Sequence, residues 1–463
     1  MDPSHDAADS AIESTHRFLG WFSGADLSLR FSERRVLLAA GDVACWLIAA
    51  AVFPQAHRPG SPLLVGLAAA VVVWTVTAWV NGAYEVEIAA HALTVLPALA
   101  RTALVTGAAM AAVAYFSYGS VGRAEWLASF LAGALAVVLW RLVYLRLFTL
   151  PMFTRRVLLT GVEPITEELA GLIRDRWGPQ FAIAGRVESG GAAVPDLLTA
   201  ARSLQVAEIV ASPDAIASPD QVAALVDCVG AGVRVTPGAR LYEELARRIP
   251  VSTVDHRWIL DMAHGASPGR AHLTLKRVID ILLAGVGLCA LALIGPLVAA
   301  AILVDSGRPV LYRQRRVGFR GQPFTIVKFR TMRRDAETGS ARWARADDDR
   351  VTRVGRFLRR SRIDELPQVV SVLRGRMSVV GPRPERPDFV ETLAERIPFY
   401  RVRHGVKPGL TGWAQINQGY SGSEADARIK LEYDLYYMRR QSLLFDALIV
   451  LRTIGTVLAL RGR

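Results

Sequence analysis

Four long apolar runs, separated by short polar stretches, open the hydrophobic pattern of this chain. They cover residues 36–53, 62–80, 103–118 and 126–144. A helix needs about 20 apolar residues to cross a bilayer, so the pattern predicts four transmembrane helices within residues 36–150. The third run is short, and its helix could begin earlier, near Val95. The preceding tail (1–35) is polar and mixed in charge, without the features of a cleavable signal peptide.

Basic residues flank this set of predicted helices. Arg34 and Arg35 precede the first helix, and Arg155 and Arg156 follow the last. Cytoplasmic flanks are enriched in Lys and Arg. An even number of spans with basic residues at both ends predicts that both ends lie in the cytoplasm.

Between residues 151 and 268 the pattern changes to short β-rich runs that alternate with helical stretches. The runs are "RRVLLTG", "FAIAGRVE", "AEIVASP" and "GVRVTPG". Alternation of strand and helix predicts a parallel, Rossmann-like α/β domain. The turn after the first strand, "TGVEP", lacks the G-x-G-x-x-G pattern that lets a backbone approach a pyrophosphate. A structural or regulatory domain is therefore favoured over a dinucleotide site.

A fifth apolar run covers residues 279–304 and is long enough to cross a membrane. Lys276 and Arg277 precede it, and Arg308 follows it. Basic residues on both sides favour two cytoplasmic ends, and Pro296 would bend the helix. The pattern predicts a re-entrant helix that enters the bilayer and returns. A straight fifth span is the alternative.

The composition indicates contact with a membrane and with phosphate groups. Hydrophobic residues make up 52% of the chain, and its formal net charge is +13. Nearly all of the excess falls between Leu311 and Arg386, with 20 basic and 8 acidic residues. Such a segment suits a nucleic acid, an anionic membrane surface or a phosphorylated substrate. No nucleic-acid-binding module is recognisable, and the three cysteines form no disulfide or zinc pattern.

One acidic pair interrupts this basic segment, in "SRIDELPQVVSVL". Asp364 would be a good N-cap for the apolar helix that follows, with Pro367 in the first turn. The start of a helix also attracts phosphate. Arg359 lies upstream, and Arg383 stands downstream in a proline-stiffened loop, "VVGPRPERP". Two acids among fixed arginines could form a phosphoryl-transfer site, in which one acid attacks phosphorus and the other holds Mg²⁺.

Several ordered motifs resemble one family. They are "KRVID", "YRQRRVGFRGQPFTIVKFRTM", "RIDELPQVVSVLRGRMSVVGPRP", "VKPGLTGWAQINQGY" and "KLEYDLYYM". Together they resemble the bacterial sugar transferases, monotopic polyprenyl-phosphate phosphoglycosyl transferases, from about Lys276 to the C-terminus. The resemblance implies a mostly α catalytic domain over 269–463 with a re-entrant helix. The whole chain then looks like the large members, with a four-helix transmembrane bundle and a Rossmann-like domain in front.

The family's reaction has two steps. The resemblance implies that Asp364 attacks the sugar-bearing phosphate of a UDP-sugar, so that UMP leaves and an aspartyl phosphosugar remains. Undecaprenyl phosphate then takes the phosphosugar, which starts a glycan for exopolysaccharide, capsule or O-antigen. Glu365 would bind Mg²⁺ or handle a proton. The expected location is the bacterial inner membrane, with the catalytic domain on its cytoplasmic face in contact with lipid.

The family's other functional positions also have counterparts in this chain. The residues expected to hold phosphate or nucleotide are Arg359, Lys328, Arg330, Pro382, Arg383 and Pro384. The residues that match the re-entrant helix are Lys276, Arg277, Asp280 and Pro296.

Two departures from the family pattern leave the sugar open. Position 362 is Arg where members often have Ser or Thr, and "GWAQIN" continues with Gln418-Gly419-Tyr420 rather than Gly-Arg. A non-catalytic assembly or regulatory protein is the alternative function. A nucleotide-sugar dehydratase or dehydrogenase would need a Gly-rich loop that is not convincing here. The sequence leaves open whether the protein forms a homodimer.

Overall fold

A computed structural model describes residues 31–458 apart from short internal segments. The segments outside the description are 54–55, 57–60, 90–91, 118–120, 149, 151–152, 162–163, 179, 189–195, 266–268, 335–347, 349 and 419–422. Most of the predicted tail and the departure at Gly419 and Tyr420 therefore lie outside the described residues. Contacts divide the chain into two compact units, residues 1–162 with 166–236 and residues 163–165 with 237–463.

The first unit begins with the predicted apolar helices. They are α1 (Phe31–Val52), α2 (Pro62–Val80), the short α3 (Val86–Ala89), α4 (Ala92–Phe116) and α5 (Arg123–Phe148). The four long ones are long and apolar enough to cross a membrane. Helix α4 begins at Ala92, earlier than its apolar run at 103, because Pro97 and Arg101 interrupt the run without ending the helix. Proline is tolerated in membrane helices, where neighbouring groups satisfy the freed carbonyl.

The interior of this bundle pairs large aromatic rings with small residues. Trp46 and Trp74 are almost fully buried, with ring centroids 5.6 Å apart. Gly133 faces the Trp46 ring so closely that a Cβ there would lie 2.5 Å from ring carbons. Large apolar side chains such as Leu104 (75% exposed) point outward. Close small-to-large packing inside and apolar side chains outside are typical of helices that face lipid.

A buried ion pair joins three of these helices. Arg141 on α5 donates through Nη2 to Asp42 Oδ2 on α1 at 2.7 Å, and Trp74 on α2 donates to the same oxygen at 3.0 Å. Nη1 of Arg141 donates to the carbonyl of Ala83 at 2.9 Å. Both charged side chains are almost completely shielded, so each is compensated by the other.

The predicted α/β pattern is present in the same unit. Strands β1 (Arg155–Thr160), β2 (Phe181–Val187), β3 (Glu208–Ala211) and β4 (Arg234–Pro237) form one sheet in the order β2-β1-β3-β4. The central β1 pairs in parallel with both β2 and β3. Its residues Val157, Leu158 and Leu159 are all fully buried, as expected for a parallel strand covered on both faces. The intervening helices are α6 (Pro164–Leu172, continued by a π-helical turn, Ile173–Trp177), α7 (Leu197–Ser203), α8 (Pro213–Ala217) and α9 (Pro219–Gly230).

The second unit is mostly helical. Its α-helices are α10 (Gly238–Ala246), α11 (His256–Gly265), α12 (Arg270–Ser306), α13 (Arg353–Arg360), α14 (Val369–Leu373), α15 (Pro387–Arg396), α16 (Trp413–Asn417), α17 (Glu424–Arg439) and α18 (Leu443–Leu458). Short 3-10 helices cover Val251–Thr253, Phe319–Gly321, Ile363–Gln368 and Tyr400–Gly405. Strands β5 (Leu311–Val317) and β6 (Pro323–Phe329) form an antiparallel hairpin, and β7 (Ser378–Val380) pairs in parallel with β8 (Gly409–Thr411).

Helix α12 contacts the rest of this unit at several points between Lys276 and Ser306. Near its start, Asp280 accepts hydrogen bonds from Ser378 Oγ and the Val379 N–H. In its middle, a Cβ on Gly287 would meet Val369 at 2.8 Å. At its end, the carbonyl of Ser306 accepts from Arg330 at 2.8 Å. The opposite face carries large exposed apolar side chains: Leu282, Val286, Leu293, Leu297 and Val304.

Candidate active site

The two acids lie in a short 3-10 helix between α13 and α14. Arg362 precedes this helix with a left-handed backbone (φ 57°), and Asp364 is its second residue. The predicted N-cap role of Asp364 is therefore wrong. The left-handed turn at Arg362 starts the helix two residues earlier than expected, and no side chain caps it. Asp364 does not contribute its carboxylate to a cap, which leaves that group available for another role.

The partners of the two neighbouring carboxylates differ. Asp364 is 6% exposed and Glu365 is 8% exposed. Arg383 donates to both oxygens of Glu365, at 2.6 and 3.3 Å, and Arg362 lies 3.9 Å from the same carboxylate. Within the described part of the chain, Asp364 has no hydrogen-bond or ion-pair partner. One acid is therefore fixed by a two-pronged guanidinium contact while its neighbour stays free.

This arrangement separates the two acids electrostatically. Burial, and then the adjacent Glu365 charge, raise the pKa of Asp364, with Lys328, Arg359 and Arg383 partly offsetting the shift. Burial also opposes ionisation of Glu365, but Arg383, joined by Arg362 and Lys328, outweighs it, so the pKa of Glu365 is lowered. A buried pair of acids whose pKa values are pushed apart is a pattern found at catalytic sites.

Lys328 on β6 adds a cation close to the acids. Its side chain lies over the Tyr312 ring, with the nitrogen 5.5 Å from the ring centroid. Burial, followed by the neighbouring Arg316, lowers the pKa of Lys328 to about 8, although Glu365 and Asp364 favour its charge. The lysine therefore carries its charge at neutral pH and loses it in mildly alkaline solution.

Arg359 on α13 is held by Thr331, two residues after the end of β6. Its Nε donates to Thr331 Oγ1 at 3.0 Å. Among the described residues no hydrogen-bond partner engages its two terminal nitrogens, which are therefore available to a ligand. Planar guanidinium groups suit phosphate oxygens. Arg359 and Lys328 both favour the charged form of Asp364, so the structure brings together the two cations and the acid predicted to share a phosphate.

The proline loop, Pro382 to Pro384, carries Arg383 to Glu365. The carbonyl of Pro382 accepts from the Gly409 N–H at 2.9 Å. The carbonyl of Pro384 accepts from Arg316 Nη1 at 3.1 Å. Proline fixes φ at two of the three positions, and these hydrogen bonds hold the carbonyls. Arg316 was not among the predicted site residues. The alternation along β5 could have identified it, because Arg316 falls on the same strand face as Tyr312 and Gln314 in "YRQRR".

The remaining predicted residues make other contacts. Arg330 donates to the carbonyls of Ser306 and Gly307 at the end of α12. Lys276 bonds Asp446 Oδ2 at 2.6 Å. Arg277 donates to the carbonyls of Val372 and Leu373, and Pro296 lies within α12. Arg330, Lys276 and Arg277 connect α12 to the unit, whereas Pro296 is exposed and the helix continues through it to Ser306. A phosphate-binding role for Arg330 stays a prediction.

The carboxylates of the site could hold Mg²⁺ only together with substrate phosphates. The described residues contain no cluster of three or more Asp, Glu, His or Cys side chains placed to hold a metal. Mg²⁺ commonly binds one or two carboxylates and completes its shell with substrate phosphates and water. Glu365 offers a carboxylate for that arrangement, although Arg383 already contacts both of its oxygens.

Apolar helices together with this buried acid pair define a membrane protein with a cation-lined site. The family model described as "Bacterial sugar transferase" matches residues 271–460. The chain is 41% identical over 212 residues to a UDP-glucose:undecaprenyl-phosphate glucose-1-phosphate transferase of Caulobacter vibrioides, covering 45% of this chain and 79% of that relative. The chain belongs to the bacterial sugar transferase family.

Two longer relatives are similar over the same part of the chain. One is the UDP-N-acetylgalactosamine-undecaprenyl-phosphate N-acetylgalactosaminephosphotransferase of Aeromonas hydrophila, 46% identical over 194 residues, or 41% of this chain and 45% of the relative. The other is the UDP-glucose:undecaprenyl-phosphate glucose-1-phosphate transferase of Escherichia coli K12, 44% identical over 184 residues, or 39% of each chain. The match thus spans less than half the length of these two relatives.

Proposed function

We propose that this protein transfers a sugar 1-phosphate from a UDP-sugar to undecaprenyl phosphate. The observation that carries the proposal is the free, buried carboxylate of Asp364 beside an immobilised Glu365. Relatives whose names give UDP-glucose or UDP-N-acetylgalactosamine as donor and undecaprenyl phosphate as acceptor support the reaction class. The names include more than one sugar, so the donor sugar is a matter for experiment.

In the first step, a carboxylate oxygen of Asp364 attacks the phosphorus that carries the sugar. The bond from that phosphorus to the UMP oxygen breaks, and UMP leaves with the electron pair. Arg359 and Lys328 stabilise the phosphate charge that Asp364 approaches, as fixed cations do in phosphoryl transfer. Arg383 keeps Glu365 ionised and in place. Glu365 would hold Mg²⁺ together with the diphosphate, and the ion would further neutralise that charge.

In the second step, an oxygen of undecaprenyl phosphate attacks the same phosphorus. The acyl phosphate bond to Asp364 breaks, and the regenerated carboxylate leaves. The product is undecaprenyl diphosphate sugar. The raised pKa of Asp364 makes it a more basic nucleophile than an ordinary aspartate, yet a carboxylate remains a good enough leaving group for this step.

Helix α12 would bring the site to the membrane as a re-entrant helix. A straight helix would place residues 276 and 306 about 45 Å apart, at roughly 1.5 Å per residue. Yet the start, middle and end of α12 all contact the same arginine-rich unit. A full span would carry that unit into the bilayer. The outward apolar face suits insertion into one leaflet, with the site at the cytoplasmic surface of the inner membrane.

Reporter tags at the two ends of the chain test this topology. Both tags are expected to report the cytoplasm in whole cells. A C-terminal tag on the opposite side of the membrane from the N-terminal one would refute the re-entrant arrangement.

Release of UMP tests the reaction. Purified protein would be incubated with Mg²⁺, undecaprenyl phosphate and a panel of UDP-sugars, beside Asp364→Asn. Asp388→Asn is the matched control, because Asp388 is an exposed aspartate in the same unit, bonded to Arg386. Release with at least one sugar, lost in Asp364→Asn and kept in Asp388→Asn, supports the proposal. Equal release by wild type and Asp364→Asn would overturn it and favour the assembly role.

A further inference from the structure

A second buried ion pair lies behind the proline loop. Arg403, in the 3-10 helix Tyr400–Gly405, and Asp434, on α17, both have side chains only 2% exposed. The Nε and Nη2 atoms of Arg403 donate to Asp434 Oδ2 at 3.0 and 2.6 Å. Its Nη1 donates to the Tyr400 hydroxyl at 2.8 Å. Every guanidinium nitrogen of Arg403 is therefore engaged, in a fixed orientation.

One of these nitrogens also reaches the loop. Arg403 Nη2 donates to the backbone carbonyl of Arg383 at 3.1 Å. The carbonyl of the next residue, Pro384, accepts from Arg316. Two consecutive carbonyls are thus held by two different arginines, while proline rings fix φ on either side of Arg383. The backbone of Arg383 has little freedom left, and its side chain meets Glu365 in the two-pronged contact described above.

We propose that Arg403 and Asp434 are positioning residues, which hold the Arg383 carbonyl so that the Arg383 side chain fixes Glu365 and leaves Asp364 free. The effect on catalysis rests on the proposed function. The effect on the order of the loop does not. Neither residue touches the acid pair, and both act through Arg383.

Stability alone does not account for a buried pair of this kind. Buried ion pairs can often be replaced by apolar residues of similar size without loss of stability, whereas removal of one partner leaves an uncompensated charge. What an apolar pair could not supply is the hydrogen bond to the Arg383 carbonyl. The double variant Arg403→Met/Asp434→Leu therefore separates the two roles, since it keeps the packing and removes the bond.

The experiment compares wild type, this double variant, Arg403→Lys and a control, Glu432→Gln. Glu432 lies two residues before Asp434 on α17 and is similarly buried, but its partners include Arg248, the Val251 N–H and the Tyr242 hydroxyl. Hydrogen exchange over residues 381–387, and kcat and KM for UMP release per folded molecule, are measured for each. The double variant should exchange faster in the loop and lose at least about tenfold in kcat, with KM for the UDP-sugar changed less.

The split between kcat and KM distinguishes positioning from a structural role. A displaced Arg383 would no longer hold Glu365, so kcat per folded molecule should fall while KM changes less; a loss of stability alone would lower only the folded fraction. Arg403→Lys keeps a charged donor beside Asp434 and should recover part of the activity. Glu432→Gln should keep the wild-type loop exchange and kcat.

A folded double variant with wild-type loop exchange and kcat would overturn the proposal. If the double variant cannot be prepared, Arg403→Met, which removes every donor, takes its place, and an unchanged loop and kcat in that variant would overturn the proposal as well. If wild type releases no UMP with any sugar, the proposed function fails, and loop exchange still shows whether this pair holds Arg383.

Discussion

Two buried aspartates, one in each unit, have opposite surroundings. Asp42 accepts hydrogen bonds from Arg141 and Trp74 and lies in a bundle of apolar helices. Asp364 is almost as buried, yet no described residue pairs with it, and its nearest acidic neighbour takes the arginine instead. A compensated charge contributes to holding helices together. A buried charge that is only partly offset by nearby cations costs stability and retains its reactivity, which is the usual compromise at an active site.

The comparison predicts its largest effect for Asp364→Asn. Transfer should fall by on the order of 10³-fold or more, the scale seen when a covalent nucleophile is removed. Because burial raises the pKa of Asp364, the ionised acid lowers stability at pH values above its ordinary pKa. The variant should therefore unfold at the same temperature as wild type, or higher, near pH 7. If Asp364→Asn lost activity only because it is less stable, Asp364 would have a structural role like that of Asp42.

The opposite outcome is expected for Asp42→Asn. It leaves Arg141 buried without its counter-charge, which costs roughly 3 kcal/mol of stability. Thermal unfolding in detergent would measure the loss, and UMP release per folded molecule should stay close to wild type. The pair Asp42→Leu/Arg141→Met should recover most of the stability. Unchanged stability in the single variant would mean that the two aspartates do not differ as described.

Sequence patterns predicted the parts of this fold that depend on local periodicity. The four strands of the β2-β1-β3-β4 sheet and the four long apolar helices of the first unit overlap the runs that predicted them. The start of α4 was less certain, since Pro97 and Arg101 interrupt its run. The cap assignment failed because a left-handed residue, Arg362, cannot be recognised from side-chain pattern when it is not glycine.

Contacts between distant residues could not be predicted in the same way. Arg403 meets Asp434 across 31 positions, and Arg141 meets Asp42 across 99. An arginine-rich segment offers many partners for each acid, and only tertiary packing selects one. The residues named for the site came largely from the resemblance to the family. The observation that Glu365 is paired while Asp364 is free came from the structure.

The pH dependence of donor binding sharpens the account of the cations. Lys328 has a pKa of about 8, so its charge is present below that pH and is lost above it. KM for the UDP-sugar should rise several-fold as the pH passes through about 8. Lys328→Arg, whose guanidinium stays charged, should move the rise to higher pH. An identical alkaline rise in both proteins would assign the titration to another group.

The smallest effect is expected at Arg362. Its guanidinium is 3.9 Å from Glu365 and partly exposed, against 2.6 Å for Arg383. Exposed pairs contribute about 1 kcal/mol or less, so Arg362→Ser should change kcat/KM only a few-fold. Arg383→Lys, which cannot make the two-pronged contact, should cost more. A larger loss at Arg362 than at Arg383 would show that Glu365 depends on the other arginine.

Detection of the covalent intermediate tests the central claim most directly. The protein would be mixed with its UDP-sugar in the absence of undecaprenyl phosphate, quenched in acid, and digested for mass spectrometry. The account predicts one equivalent of UMP and a phosphosugar mass on the peptide that contains Asp364, with neither in Asp364→Asn. Release of UMP only when undecaprenyl phosphate is present, with no modified peptide, would show direct transfer between the substrates and contradict it.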